Sequence, residues 1–120
     1  MNKKPNPFVW PGIERSPASF RGNVNLIWQV ISQMFNLTKE NIRSSSRSYT
    51  NEVMLARHFI HRFLYRRTGM TSIQVAQMTN RTHGSVLHSC KLIDNWISTK
   101  DPFLDKYKKF EVEMFKKHPY

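Results

Sequence analysis

From Asn23 onward, apolar residues return every three or four positions, and no stretch alternates strictly between apolar and polar. That period belongs to helices and not to strands. Val24, Ile27, Ile31 and Phe35 mark a first amphipathic helix over 23–35. Thr38-Lys-Glu-Asn-Ile reads as a capped single turn, because a threonine hydroxyl can accept an amide proton of the first turn. A polar loop from Arg43 to Ser48 follows. Thr50 can cap a long helix running to about Thr68, with Val53, Ala56, Ile60, Phe63 and Leu64 as its apolar stripe and Phe59 at the edge. His58, His61, Arg62 and Tyr65 lie on the opposite, polar side. Gly69 ends that helix, since glycine accepts the left-handed conformation of a helix C-terminus.

Two further helices are predicted at 72–79 and 82–98. Asp101 as cap and Pro102 as first helical residue then open a last helix, which buries Phe103, Tyr107, Phe110 and Met114. The expectation is an all-α domain of five or six helices over 23–117. Residues 1–22, with Pro5, Pro7, Pro11 and Pro17 and no sustained period, read as an extended arm. Its apolar patch Phe8-Val9-Trp10 either packs back onto the domain or serves as a docking peptide for a protein partner.

The pair of helices at 72–98 has the layout of a helix-turn-helix. Val75 and Ala76 are small enough for a second helix to cross closely. Asn80 stands in the turn, where a residue tolerant of positive φ is needed. Val86, Cys90, Ile93 and Ile97 make one buried stripe on the second helix. Its outward face carries Gly84, Ser85, His88 and Lys91, with Arg81 just ahead. Small residues let such a helix approach base edges, and its N-terminus around Thr82 to Ser85 offers free N–H groups to a phosphate. Arg81 can hydrogen-bond guanine or phosphate, and His83 either one more weakly. Any short helix pair with an alanine and a turn can mimic this pattern, so charge has to decide.

Charge points the same way. The chain of 120 residues carries a formal net charge of +11 and a pI near 10.2. Eight Lys/Arg fall between Arg43 and Ile93 against one acid, Glu52. Such a balance calls for a polyanionic partner, nucleic acid first and an anionic membrane surface second. Arg43, Ser48, Arg62 and Arg66 are candidates for phosphate contact, with a solvated charged face as the bland alternative. No apolar run is long enough to span a membrane, and no secretory signal is evident. The single cysteine, Cys90, excludes an internal disulfide, suits a reducing compartment and belongs to the buried stripe. The expected location is cytoplasmic and nucleoid-associated.

Catalytic constellations are missing. His58 and His61 have no third ligand beside them, so no metal is expected. The acids at 94, 101, 105, 111 and 113 are scattered, mostly among lysines, and do not form a nuclease's carboxylate cluster. No nucleophile–base pair stands out, and there is no Gly-rich phosphate loop followed by Lys-Ser/Thr. The chain is expected to be no enzyme, with no cofactor and no small-molecule substrate.

Arg81, His83, Ser85-Val86-Leu87-His88, Cys90 and Ile93, with Arg47-Ser48 in a basic loop and Ala56 in the long helix, resemble a known family. It is the C-terminal DNA-binding domain of the bacterial replication initiator DnaA, whose fold is related to the trp repressor. The similarity covers about residues 23–115. In that family a loop arginine enters the minor groove and the run after the turn reads bases in the major groove. The resemblance implies Arg47 for the first role and Arg81, His83 and Ser85 for the second. With the outward face of the helix, the expected DNA-binding set is Arg47, Arg81, Thr82, His83, Gly84, Ser85, His88 and Lys91.

Three departures loosen the link to the family's usual DNA site. Thr82 stands where the family has aspartate, and Gly84 where it has its first threonine. Val53 replaces an arginine, and the turn between the motif helices looks about a residue shorter. The expected function is sequence-preferring occupancy of double-stranded DNA, as a small regulator of transcription or replication, including on a mobile element or phage. The alternative is a protein-interaction module that keeps the fold without specific DNA recognition.

Overall fold

The computed structural model describes residues 23–44 and 51–117; six α-helices and one 3-10 turn occur among them, and no strand. The all-α expectation holds. The arm at 1–22, the cap position Thr50 and the loop residues Arg47 and Ser48 lie outside the described residues.

The chain enters through the 3-10 turn Val24–Leu26, where the Asn23 side chain accepts the Asn25 N–H at 2.9 Å. Helix α1 (Ile27–Phe35) continues from it and buries Ile27, Val30, Ile31 and Phe35. Asn36, at φ 58°, closes α1 in the left-handed region. Helix α2 (Lys39–Arg43) is the single turn foreseen after Thr38. Thr38 Oγ1 accepts from the Asn41 N–H at 3.1 Å, and Asn41 Oδ1 accepts from the Thr38 N–H at 2.8 Å. This reciprocal box satisfies two amides that a five-residue helix leaves over.

Helix α3 (Asn51–Arg67) is central, and α1, α2, α4, α5 and α6 all pack on it. Phe59, placed at the edge of the stripe by periodicity, stands instead in the middle of the core. Its ring centroid lies 5.2 to 6.4 Å from those of Tyr107, Phe35, Phe110 and Trp96. A helix enclosed by so many neighbours buries its edge positions as well as its stripe. Full burial of such a side chain stabilises by about 1.5–3 kcal/mol. Gly69 follows α3 at φ 78°, the conformation for which glycine suits the position.

Helix α4 (Ser72–Thr79) opens on a second capping box, between Thr71 and Gln74. Helix α5 (His83–Thr99) ends at Lys100, again left-handed at φ 57°. Helix α6 (Phe103–Lys117) opens on Asp101, whose carboxylate accepts the Phe103 N–H at 2.9 Å, as expected of a cap. Phe103 itself corrects the sequence reading, for it is 52 % exposed. Leu104 takes the inward place, with Tyr107, Phe110, Glu111, Met114 and Phe115. Positions 103 and 104 both lie one helical turn before Tyr107, so periodicity admits either. Burial of Glu111 and Phe115 turns the inner face toward 104 and leaves Phe103 on its flank, 5.6 Å from the Trp96 ring.

Candidate nucleic-acid interface

Helices α4 and α5 form the helix-turn-helix. Val75, Ala76 and Val86 are buried where the two cross. Asn80, at φ 58°, reverses the chain, and the Arg81 N–H donates to the Ala76 carbonyl at 2.9 Å. That bond is a Schellman-type closure of α4. Thr82 then caps α5, its Oγ1 accepting the Ser85 N–H at 3.2 Å, so the helix starts at His83 and not at 82. Val86, Cys90, Ile93 and Ile97 are all buried, as the stripe required. Burial also pushes the Cys90 thiol up, which leaves it a poor nucleophile.

On the other side of α5, Thr82, His83, Gly84, His88 and Lys91 are exposed and Ser85 is half-buried. No acid occurs between Glu52 and Asp94, so this face has no counter-charge of its own in sequence. A Cβ at Gly84 would meet only Thr82 Oγ1, at 3.8 Å. The glycine therefore keeps the face low and is not demanded by packing.

Arg43 and Arg81 turn their guanidinium groups onto backbone carbonyls. Arg43 Nε donates to Met78 O at 3.0 Å and its Nη2 to Gln77 O at 3.3 Å, finishing the C-terminal end of α4. In return, Asn80 Nδ2 donates to Arg43 O at 3.1 Å. Arg81 Nη2 donates to Ser44 O at 2.7 Å, and its Nη1 to Asn80 O at 2.9 Å. These crossed bonds fasten the end of α2 to the turn of the motif. They hold Ser44 against that turn. Sequence carried no sign of them, because the acceptors are backbone atoms and most lie 34 to 37 positions away.

The polar side of α3 is not a solvated face. Arg62 is 2 % exposed, so it is withdrawn from the phosphate contacts expected of it. Its Nη2 lies 3.2 Å from Asp94 Oδ1, its Nη1 donates to the Tyr107 hydroxyl at 3.3 Å, and Glu111 is 3.7 Å away. Arg67 Nε donates to both oxygens of Glu111, at 3.2 and 3.1 Å. Tyr107 donates to the same carboxylate. Glu111, read from sequence as one scattered acid among lysines, is fully buried between two arginines. Burial pushes the Tyr107 phenol well above its ordinary range, and the Glu111 charge adds to the effect. Arg66 is the exception on this side, 44 % exposed and 3.0 Å from Asp94.

His58 and His61 also turn inward. His61 is 1 % exposed. Both Nδ1 atoms meet the Ser89 hydroxyl, at 2.7 Å for His58 and 2.9 Å for His61, and His61 Nε2 meets Thr79 Oγ1 at 2.7 Å. Burial lowers His58 to about 4, helped by His88 and Arg57. Burial lowers His61 to about 3, helped by His58, Arg57 and Arg81. Both rings are neutral at pH 7. Among the described residues no group of three His, Cys, Asp or Glu could hold a metal ion.

The available clue to this cluster was a pair of hydroxyls, Thr79 and Ser89, set in otherwise apolar stripes. His88 stays exposed, with its ring 6.0 Å from that of His58. Arg57, which periodicity left unassigned, is buried and donates from Nε and Nη2 to Ile42 O, at 3.2 and 2.9 Å.

The family model described as the bacterial dnaA protein helix-turn-helix matches residues 24–93, from the 3-10 turn into the middle of α5. The chain belongs to this DnaA helix-turn-helix family. Among curated proteins it is similar to the chromosomal replication initiator protein DnaA of Flavobacterium psychrophilum, with 32% identity over 96 residues. That alignment covers 79% of this chain and 19% of the relative, so the chain spans about a fifth of the relative's length. No solved structure gives a significant match. No helix among the described residues is long and apolar enough to cross a membrane.

Proposed function

We propose that the chain is a sequence-preferring double-stranded DNA-binding domain. It seats the start of α5 in the major groove and the loop carrying Arg47 and Ser48 in the adjacent minor groove. The supporting observation is the two-sidedness of α5. Val86, Cys90 and Ile93 anchor one side, while Thr82, His83, Gly84, His88 and Lys91 stand exposed on the other. A B-form major groove is wide enough for such a helix, and the leading amides of α5 suit a phosphate. The clasp of Arg43 and Arg81 holds Ser44, the last described residue before Arg47, beside the motif's turn, which supports a minor-groove arm starting there.

Thr82 and Gly84 replace two of the family's base-reading types, so the preferred sequence differs from the family's usual site. The domain acts by occupancy, as a nucleoid-associated regulator of replication or transcription. Affinity for duplex DNA should fall by about 0.9 log unit per log unit of salt for each phosphate contact. A flat dependence would overturn the reading. Selection from a random duplex pool should return a common motif, and Arg47→Ala with Ser85→Ala should blur that motif more than it weakens bulk binding.

A second reading, a protein-interaction module without DNA recognition, draws on the commitment of Arg43 and Arg81 to backbone carbonyls. Capture of a protein partner after nuclease treatment, with no retardation of DNA, would select it.

A further inference from the structure

The chain of side chains Thr79–His61–Ser89–His58 joins α4, α3 and α5, and the docking surfaces described above leave it without a role. Every link pairs an imidazole nitrogen with a hydroxyl, at 2.7, 2.9 and 2.7 Å. A neutral imidazole has one N–H and one bare nitrogen, and a hydroxyl gives one proton while accepting another. Ser89 Oγ has no acceptor outside the two rings among the described residues, so its proton goes to one of them and the chain can run in two self-consistent senses. In the first, Thr79 donates to His61 Nε2, His61 Nδ1–H to Ser89 Oγ, and Ser89 to His58 Nδ1. His58 then carries its own proton on Nε2. In the reverse sense His58 Nε2 is bare and Thr79 must send its proton to Val75 O or Ala76 O.

One observation favours the first sense. The carbonyls of Val75 and Ala76 lie 3.5 and 3.4 Å from Thr79 Oγ1, at the weak end of hydrogen bonding.

His58 Nε2 has no hydrogen-bond partner among the described residues, and His58 lines an open cleft of about 470 Å³ between α3 and α5. Met54, Arg57, Arg81, Ser85 and His88 also line it. The cleft is electropositive: Arg57 acts on His58, and Arg57 and Arg81 act on His61, in each case against the protonated ring.

We propose that this chain is a DNA-backbone reader, which presents His58 Nε2–H as an uncharged donor to a phosphate oxygen seated in the cleft. The inference rests on the DNA-binding reading above. An uncharged donor orients the duplex without adding to the release of counterions, so its removal changes affinity but not salt dependence.

The test uses the full chain and a random-sequence duplex pool, titrated at several salt concentrations. His58→Ala should weaken binding about fivefold at every salt, with the slope unchanged, as loss of one neutral hydrogen bond implies. Lys91→Ala should instead make the slope shallower by about 0.9. His58→Gln, which keeps a donor, should recover part of the loss. Ser89→Ala should weaken binding like His58→Ala, and the double variant should be no worse than either. Ring-nitrogen NMR of the wild-type complex should find His58 protonated at Nε2 and bare at Nδ1, a readout that does not depend on any variant folding. Wild-type binding that His58→Ala leaves unchanged, or a bound His58 protonated at Nδ1, would overturn this proposal alone. Absence of any wild-type binding would overturn the DNA reading and this proposal with it.

Discussion

On the side of α3 that meets α4 and the start of α5, His61 and His58 are held by two hydroxyls, Thr79 and Ser89. On the side that meets α6 and the middle of α5, Arg62 and Arg67 are held by Glu111, Asp94 and Tyr107. Both clusters bury polar atoms, but by different means. The second buries ions, each of which costs several kcal/mol to strip of water and is offset by pairing and hydrogen bonds. The first buries rings that must stay neutral, and neutrality is what burial enforces on them. The ionic cluster lies mostly beneath α6, while the neutral one opens toward the exposed face of α5. The charges of Arg62 and Arg67 are thus spent inside the fold, and the chain's net charge overstates the cations available to a partner.

The contrast can be broken most sharply at Glu111. Glu111→Ala leaves Arg62 and Arg67 buried without their shared carboxylate and should lower unfolding free energy by about 3–5 kcal/mol in denaturant titration. A loss below about 1 kcal/mol would mean that both arginines reach water and that the cluster is not ionic in effect.

Acid should break the histidine side. The folded values of about 4 for His58 and about 3 for His61 lie below the ordinary 6.5. Below pH 6.5 the unfolded chain therefore binds more protons than the folded one. Stability is full above pH 6.5 and is lost as pH falls toward 4 and then 3, by about 3 kcal/mol at pH 4 from His61. Thermal melts across that window should show the decline, and His61→Gln should flatten it. If the variant and the wild type decline in parallel, other groups control the acid limb.

The smallest effect is expected at the exposed rim. Arg66→Ala removes an ion pair with Asp94 that faces water, and should change stability by less than about 1 kcal/mol. A larger loss in the same titration would show that Arg66 is part of the buried cluster and not its edge.

These two clusters also mark where sequence reasoning stopped. Thr38, Gly69, Asn80 and Asp101 were legible as caps and stops because their partners are their own neighbours: Thr38 pairs with Asn41, and Asp101 with Phe103. The stripe Val86–Cys90–Ile93–Ile97 was legible for a similar reason, since one helix's period shows which side turns inward. It also revealed the opposite, exposed face of α5. Polar residues on α3 gave a false signal. The sequence separates hydrophobic from polar sides, but a helix packed on several sides needs polar residues that serve other helices. Phe103 and Leu104 failed differently, being equally good by period.

Within a few residues' reach, then, the amino acids settled the helices, their ends, the turn of the motif and the outward face of α5, because backbone hydrogen bonds and local φ preferences act over three to five positions. The destinations of His58, His61, Arg62, Arg67, Arg43 and Arg81 were set only when α4, α5 and α6 closed around α3. The bonds that decide them join residues 18 to 45 positions apart. Whether such a side chain ends as a buried partner or an exposed cation depends on what the folded chain brings opposite it.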